Sequence, residues 1–198
     1  GITNLSSGKM GFAIAEAMRD AGCEVTLVAG RTALGFPRGI QTIPVISASD
    51  MLAAVQSNVG SADIFVATAA VADWRPTNAA TQKIKKDGSG DVPTLSFMEN
   101  TDILATIAAS KRATSYPQAG SLYCIGFAAE SENLEAHAKA KRERKNVPLL
   151  VGNIGPATFG MDDNALLLVD ANGTKELPRA SKIELARELV TEIAKRLK

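Results

Sequence analysis

The stretch that most narrows the fold is residues 62–69, Ala-Asp-Ile-Phe-Val-Ala-Thr-Ala, which is almost entirely apolar. A strand with one face in water alternates apolar and polar residues, whereas a continuous apolar run is covered on both faces. Apolar runs and helical patterns alternate on either side of it. Residues 11–21 carry Phe12, Ala15 and Met18 on one side of a helix that stops at Gly22, and residues 24–29 and 40–46 read as strands. Residues 50–59 read as a short helix capped by Ser49. The alternation predicts an α/β fold with a doubly wound, mostly parallel, Rossmann-like sheet and helices on both faces.

Residues 70–92 break the pattern. They hold Pro76, Gly88, Gly90 and a lysine cluster without periodicity, and a loop this long predicts a functional lid. Residues 93–98 read as a strand with Leu95 and Phe97 on one face. Residues 102–112 read as a helix capped by Thr101, with Asp102 suited to its positive end. A strand at 122–127, a charged helix at 133–145 and a short strand at 149–151 follow. Residues 165–170 and 175–177 form an expected C-terminal hairpin around Ala171-Asn172-Gly173, because Asn-Gly favours the hairpin turn. Ser181 and Glu184 make a capping box for a last helix that turns Ile183, Leu185, Leu189 and Ile193 inward.

At 198 residues the chain suits one domain with one good core. Its net charge of +1 gives no overall field toward nucleic acid or membrane, so neither is an expected partner and any anion site must be local. No apolar run has the length of a membrane span. Cys23 and Cys124 sit in strand-like apolar stretches and are expected as buried free thiols, which suits a reducing cytoplasm. The chain opens on Gly1-Ile2-Thr3-Asn4, directly before a Ser/Gly-rich loop where an α/β domain places a strand, so an upstream segment is expected.

Three segments have the chemistry of anion sites. Ser6, Ser7 and Gly8 lead into the first helix, where free backbone N–H groups and hydroxyls favour a bound phosphate; a plain Ser-capped helix start reads equally well. Lys83-Ile84-Lys85-Lys86 is either a solvated face or a cationic lid closing over phosphates. Lys141 and Lys145, four residues apart, share a helix face and could grip a polyphosphate, although basic residues also simply complement the helix dipole. A fourth segment, residues 69–76, follows the apolar strand at the sheet end where α/β folds bind ligands. There Asp73 could accept bonds from hydroxyls, or pair with Arg75. Metal-ligand spacing and a nucleophilic triad are both absent from the sequence. The residues alone predict binding of a nucleotide or a phosphate-bearing substrate.

Taken together, the pieces ITN-SSGKMG from Ile2, AAVADWRP from Ala69, KIKK from Lys83, NTDIL from Asn100, GFAAE from Gly126 and KRERKN from Lys141 resemble the bacterial phosphopantothenoylcysteine synthetase family. In that family the domain is usually the C-terminal half of a bifunctional protein, fused to a phosphopantothenoylcysteine decarboxylase. The resemblance implies a cytoplasmic, homodimeric ligase that joins L-cysteine to 4'-phosphopantothenate with CTP as co-substrate and Mg²⁺. It further implies an acyl-cytidylate intermediate and release of pyrophosphate and CMP. Carried over by position, Asn4 and Lys83 are the implied catalytic residues. Ala67, Thr68, Ala69, Asp73, Lys83, Thr101, Asp102, Ile103, Leu104, Phe127, Lys141 and Lys145 are implied around the nucleotide, and Ser6, Ser7 and Gly8 near the phosphates.

The sequence departs from the family in three places. Thr101 stands where many relatives have Pro, Leu5 where a polar residue is common, and residues 1–198 are expected to be a single synthetase domain without its first strand and Gly-rich loop. Two other readings stay open: an NADPH-binding reductase in which Gly30-Arg31 meets a 2'-phosphate, and a nucleotide-binding module without turnover.

Overall fold

The computed structural model describes residues 6–78, 94–110, 112–113, 120–130, 132–154 and 162–198. In chain order the elements are α1 (Lys9–Asp20), β1 (Thr26–Ala29), β2 (Gln41–Pro44), α2 (Ala48–Asn58), β3 (Ile64–Ala67), β4 (Trp74–Pro76) and β5 (Phe97–Glu99). There follow α3 (Ile103–Ala108), β6 (Tyr123–Glu130), α4 (Leu134–Lys145), β7 (Leu149–Ile154), β8 (Asp163–Asp170), β9 (Gly173–Ser181) and α5 (Lys182–Arg196).

The main sheet runs β3-β6-β7-β8-β9. Its first two pairings are parallel and its last two antiparallel, so the sheet is mixed rather than mostly parallel. The cause is local: the two-residue connection Ala171-Asn172 returns the chain antiparallel, whereas a parallel neighbour needs a long crossover. β1 and β2 form a separate parallel pair, and β4 and β5 a short antiparallel one.

Side-chain alternation along the strands builds two apolar layers. Tyr123, Ile125, Leu149, Val151, Leu166 and Leu168 pack against α1 and α5. Leu122, Cys124, Leu150, Leu167 and Val169 pack on the other face with α2, α3 and α4. Helices therefore cover both faces, and the unbroken Leu166-Leu167-Leu168-Val169 run supplies both layers at once.

Several local expectations are corrected. Residues 70–92 are not loop throughout, since Trp74–Pro76 forms β4. Helix α2 is capped by Ser47, not Ser49: a capping box needs its acid three residues on, and Asp50 returns the bond to the Ser47 N–H at 2.9 Å. Helix α3 is capped by Asp102, not Thr101, with Asp102 Oδ1 accepting from the Ala105 N–H at 2.8 Å. The same helix ends at Ala108. Arg112 lies beyond it and donates to the carbonyls of Val59, Gly60, Ala62 and Gly120. In α1 the buried side is Ala13, Ile14, Ala15, Ala17 and Met18, while Phe12 is only half-buried. Cys124 is buried as expected, but Cys23 is exposed in the turn after α1. Among the described residues no helix is long and apolar enough to cross a membrane.

Candidate functional site

The end of β3 lies beside the middle of β6: Ala67, the last residue of β3, pairs with Gly126, and Phe127 continues β6 beyond that pair. Two close approaches bring the flanking helices to this point. A Cβ at Gly11 would lie 2.6 Å from Thr68 Oγ1, so only glycine lets the first turn of α1 reach the end of β3. On β6, a Cβ at Gly126 would lie 2.6 Å from Leu104 Cδ2, which seats α3 on the sheet. Gly8 starts α1 in the left-handed region at φ 78° and supplies no side-chain cap, while the Lys9 N–H donates to Ser7 Oγ at 3.4 Å. Beside it the Ser7 carbonyl accepts from the Thr32 hydroxyl at 3.0 Å.

Asp102 and Lys145 meet as an ion pair, joining the cap of α3 to the last turn of α4. Lys145 is already neutralised by Asp102, while Lys141, half-buried one turn earlier, makes no ion pair among the described residues. Ile103 and Leu104 are buried in the core behind α3, so that segment can meet a ligand only through its backbone and the residues before it. Phe127 is half-buried on the opposite sheet face, against the α1 and α5 layer. Leu104 and Phe127 thus pack on opposite faces of the sheet.

Asp73 is exposed in the bend between Ala67 and β4, and it does not pair with Arg75. Arg75 Nη1 instead donates to Asn100 Oδ1 at 2.8 Å and to the Glu99 carbonyl at 3.3 Å. In the sequence Asn100 is only the first letter of NTDIL; its bonds to residues 25 to 28 positions away have no local signature. A cavity of about 160 Å³ lies between α2 and this group, lined by Ser49, Leu52, Gln56, Arg75, Asn100 and Thr101. A larger hollow of about 530 Å³ opens past the ends of β1 and β2, with Gly30, Arg31, Phe36 and Ile46 in its wall. Asn4 and Lys83 lie outside the described residues, as does the rest of the lysine cluster.

Lys9 Nζ lies 2.5 Å from Asp162 Oδ1, and that hydrogen bond holds the Asp162 carboxyl below the usual range. Lys182, 9% exposed, is pushed down first by burial and then by the Lys9 charge. Among the described residues no three His, Cys, Asp or Glu side chains cluster as metal ligands.

With this geometry, comparison with known proteins decides the family. Residues 1–197 match the family described as DNA/pantothenate metabolism flavoprotein C-terminal domain. This chain belongs to that family. It is 45% identical over 197 residues to the coenzyme A biosynthesis bifunctional protein CoaBC of Haemophilus influenzae, covering 98% of this chain and 47% of the relative. It is 42% identical to CoaBC of Escherichia coli K12 over 199 residues, again covering 98% and 47%. The chain therefore spans about half the length of the curated relatives it matches. A crystal structure of the C-terminal domain of CoaBC superposes with a TM-score of 0.78 at 36% identity, covering 97% of this chain and 84% of the other. Cab2 mutant H337A in complex with phosphopantothenate-cysteine gives a TM-score of 0.75 at 15% identity, covering 99% and 79%, and shares the fold.

Proposed function

We propose that this family member is the ligase half of coenzyme A biosynthesis, joining L-cysteine to 4'-phosphopantothenate at the expense of CTP. The observation that carries the reading is 45% identity to CoaBC over 98% of the chain, and the Asp102–Lys145 ion pair that ties the cap of α3 to the last turn of α4 supports it. Further support for a bifunctional setting, with a decarboxylase alongside, comes from the half-length match to those relatives.

Two displacements make up the reaction. The substrate carboxylate oxygen attacks the α-phosphorus of CTP, forming the acyl-cytidylate as the bond to the β-phosphate oxygen breaks and pyrophosphate leaves. The cysteine amine then attacks the acyl carbon, loses a proton, and expels CMP. Neither step needs a covalent protein nucleophile; both need positioning and charge compensation. Asp73 accepts from the ribose hydroxyls, the start of α1 with Ser6 and Ser7 meets phosphate oxygens, and Lys141 adds positive charge toward the triphosphate. Lys83 offsets charge that develops at the α-phosphate, and the Asn4 amide holds the acyl-phosphate for the second step. Mg²⁺ carried by the triphosphate would be held mainly by phosphate oxygens and water and would offset their charge, which fits the lack of a cluster of three His, Cys, Asp or Glu side chains among the described residues. The β4–β5 pair leaves Trp74, Phe97 and Met98 exposed, which supports a homodimer in which a second copy covers them.

Calorimetric titration of the full chain with CTP and ATP, alongside pyrophosphate release assays, tests the reading. Buried backbone donors that read a pyrimidine should favour CTP by roughly 10²-fold, since each unmet polar group costs about 1–3 kcal/mol. Lys83→Ala should slow pyrophosphate release by about 10²-fold. Equal affinity for CTP and ATP, or pyrophosphate release that does not need phosphopantothenate, would refute it.

A further inference from the structure

We infer that Asn100 is a positioning residue for the nucleotide, fixing the distance between Asp73 and the Asp102–Lys145 pair; this rests on the ligase reading above. Three hydrogen bonds carry the inference, two to the bend at 72–73 and one to Arg75 in β4. The Asn100 backbone N–H donates to the Asp73 carbonyl at 2.7 Å. Its side-chain Nδ2 donates to the Ala72 carbonyl at 2.8 Å, and Oδ1 accepts from Arg75 Nη1 at 2.8 Å. The first bond adds one rung beyond the Trp74–Glu99 pairing of β4 and β5. The two side-chain bonds have no part in that ladder.

Their effect follows from what they hold. Two successive carbonyls, of Ala72 and Asp73, are turned toward residue 100, which sets the backbone around Asp73 and so the direction in which its side chain leaves the bend. Two residues on from Asn100, Asp102 caps α3 and pairs with Lys145. Asn100 is therefore the short link between two groups that the ligase reading assigns to one ligand, and a link of this kind lowers the ordering cost of binding. Only an amide serves here. It must donate to one partner and accept from another, and aspartate, nearly the same shape, would set an oxygen against the Ala72 carbonyl.

The test compares Asn100→Asp and Asn100→Ala with wild type in the full chain, reading kcat, KM for each substrate and thermal midpoint. The expected result for both variants is a KM for CTP raised about 10-fold or more. Their kcat at saturating CTP should change far less, and KM for phosphopantothenate should stay near wild type. A CTP KM within about 2-fold of wild type in folded Asn100→Asp would overturn the inference. So would a parallel loss of kcat, every KM and thermal midpoint, which is what mere destabilisation produces. Amide exchange at residue 100, measured without nucleotide, separates this inference from the functional reading. If wild type neither binds nor turns over CTP, the ligase reading fails, and the link stands or falls on whether Asn100→Asp speeds that exchange.

Discussion

The middle of the main sheet and its β3 edge are held together by different forces. In the middle, at β7 and β8, Leu149, Leu150, Val151 and Leu168 are fully buried, and α5 adds Leu185 and Leu189 with no exposure. At the β3 end every strand residue is only half-buried, and β4 and β5 carry Trp74, Phe97 and Met98 largely in water. What orders the β3 end instead is a small set of hydrogen bonds: Asn100 to the bend at 72–73, Asp102 to α3, and Arg112 to four carbonyls. The middle is a scaffold stabilised by buried area. The β3 edge, proposed above to bind the nucleotide, keeps its strand residues half-exposed because little apolar surface covers them.

The contrast makes three predictions of decreasing size. Leu168→Ala should open a cavity in the scaffold layer and cost about 2–5 kcal/mol, read as a lower urea midpoint. A loss below about 1 kcal/mol would mean the two regions are not so different. The second concerns Glu192, whose side chain is 8% exposed and whose pKa is lowered to about 2 by hydrogen bonds from Lys175, Lys195 and Arg196. The folded pKa lies below the unfolded one, so this stabilisation is present above about pH 4.5 and is lost as pH falls toward about 2, by at most about 3 kcal/mol. Urea midpoints measured across that window should flatten in Glu192→Gln; an unchanged acid slope would remove Glu192 as a cause.

The smallest effect sharpens the comparison at the seam. Gly126→Ala would press a methyl on Leu104 Cδ2 and on Leu150 Cδ1 at 2.8 Å. The ends of leucines can yield, so the stability loss should be modest, about 1–2 kcal/mol. Because the displaced Leu104 lies in α3, CTP affinity should fall more than stability does. Equal stability with unchanged CTP affinity would detach α3 from the binding edge.

Much of the scaffold is legible in the order of residues. Unbroken apolar stretches such as 62–69 and Leu166 to Val169 announce strands covered on both faces, and Ser181 with Glu184 marks the start of α5. Those signals depend on neighbours two to four residues apart, so they survive in one dimension. The misplaced helix caps are of the same local kind: Ser49 and Thr101 are eligible caps, but Ser47 and Asp102 have the N3 partners that close the first turn.

Other features arise only where distant segments meet. Cys23 lies in a stretch that looks apolar, yet it falls in the turn after α1 and is exposed. Lys141 and Lys145 look alike along the chain, and they differ because Asp102, 43 residues from Lys145, reaches only one of them. Asn100 shows nothing in its own neighbourhood, since its side-chain partners are 25 and 28 residues away. The alternation of strands and helices, the two-sided core and the family follow from the amino-acid order alone, because periodicity and motif order are properties of the chain. Which polar groups pair and which stay open to a ligand depends on the folded arrangement, because a hydrogen bond needs closeness in space, which spacing along the chain does not encode.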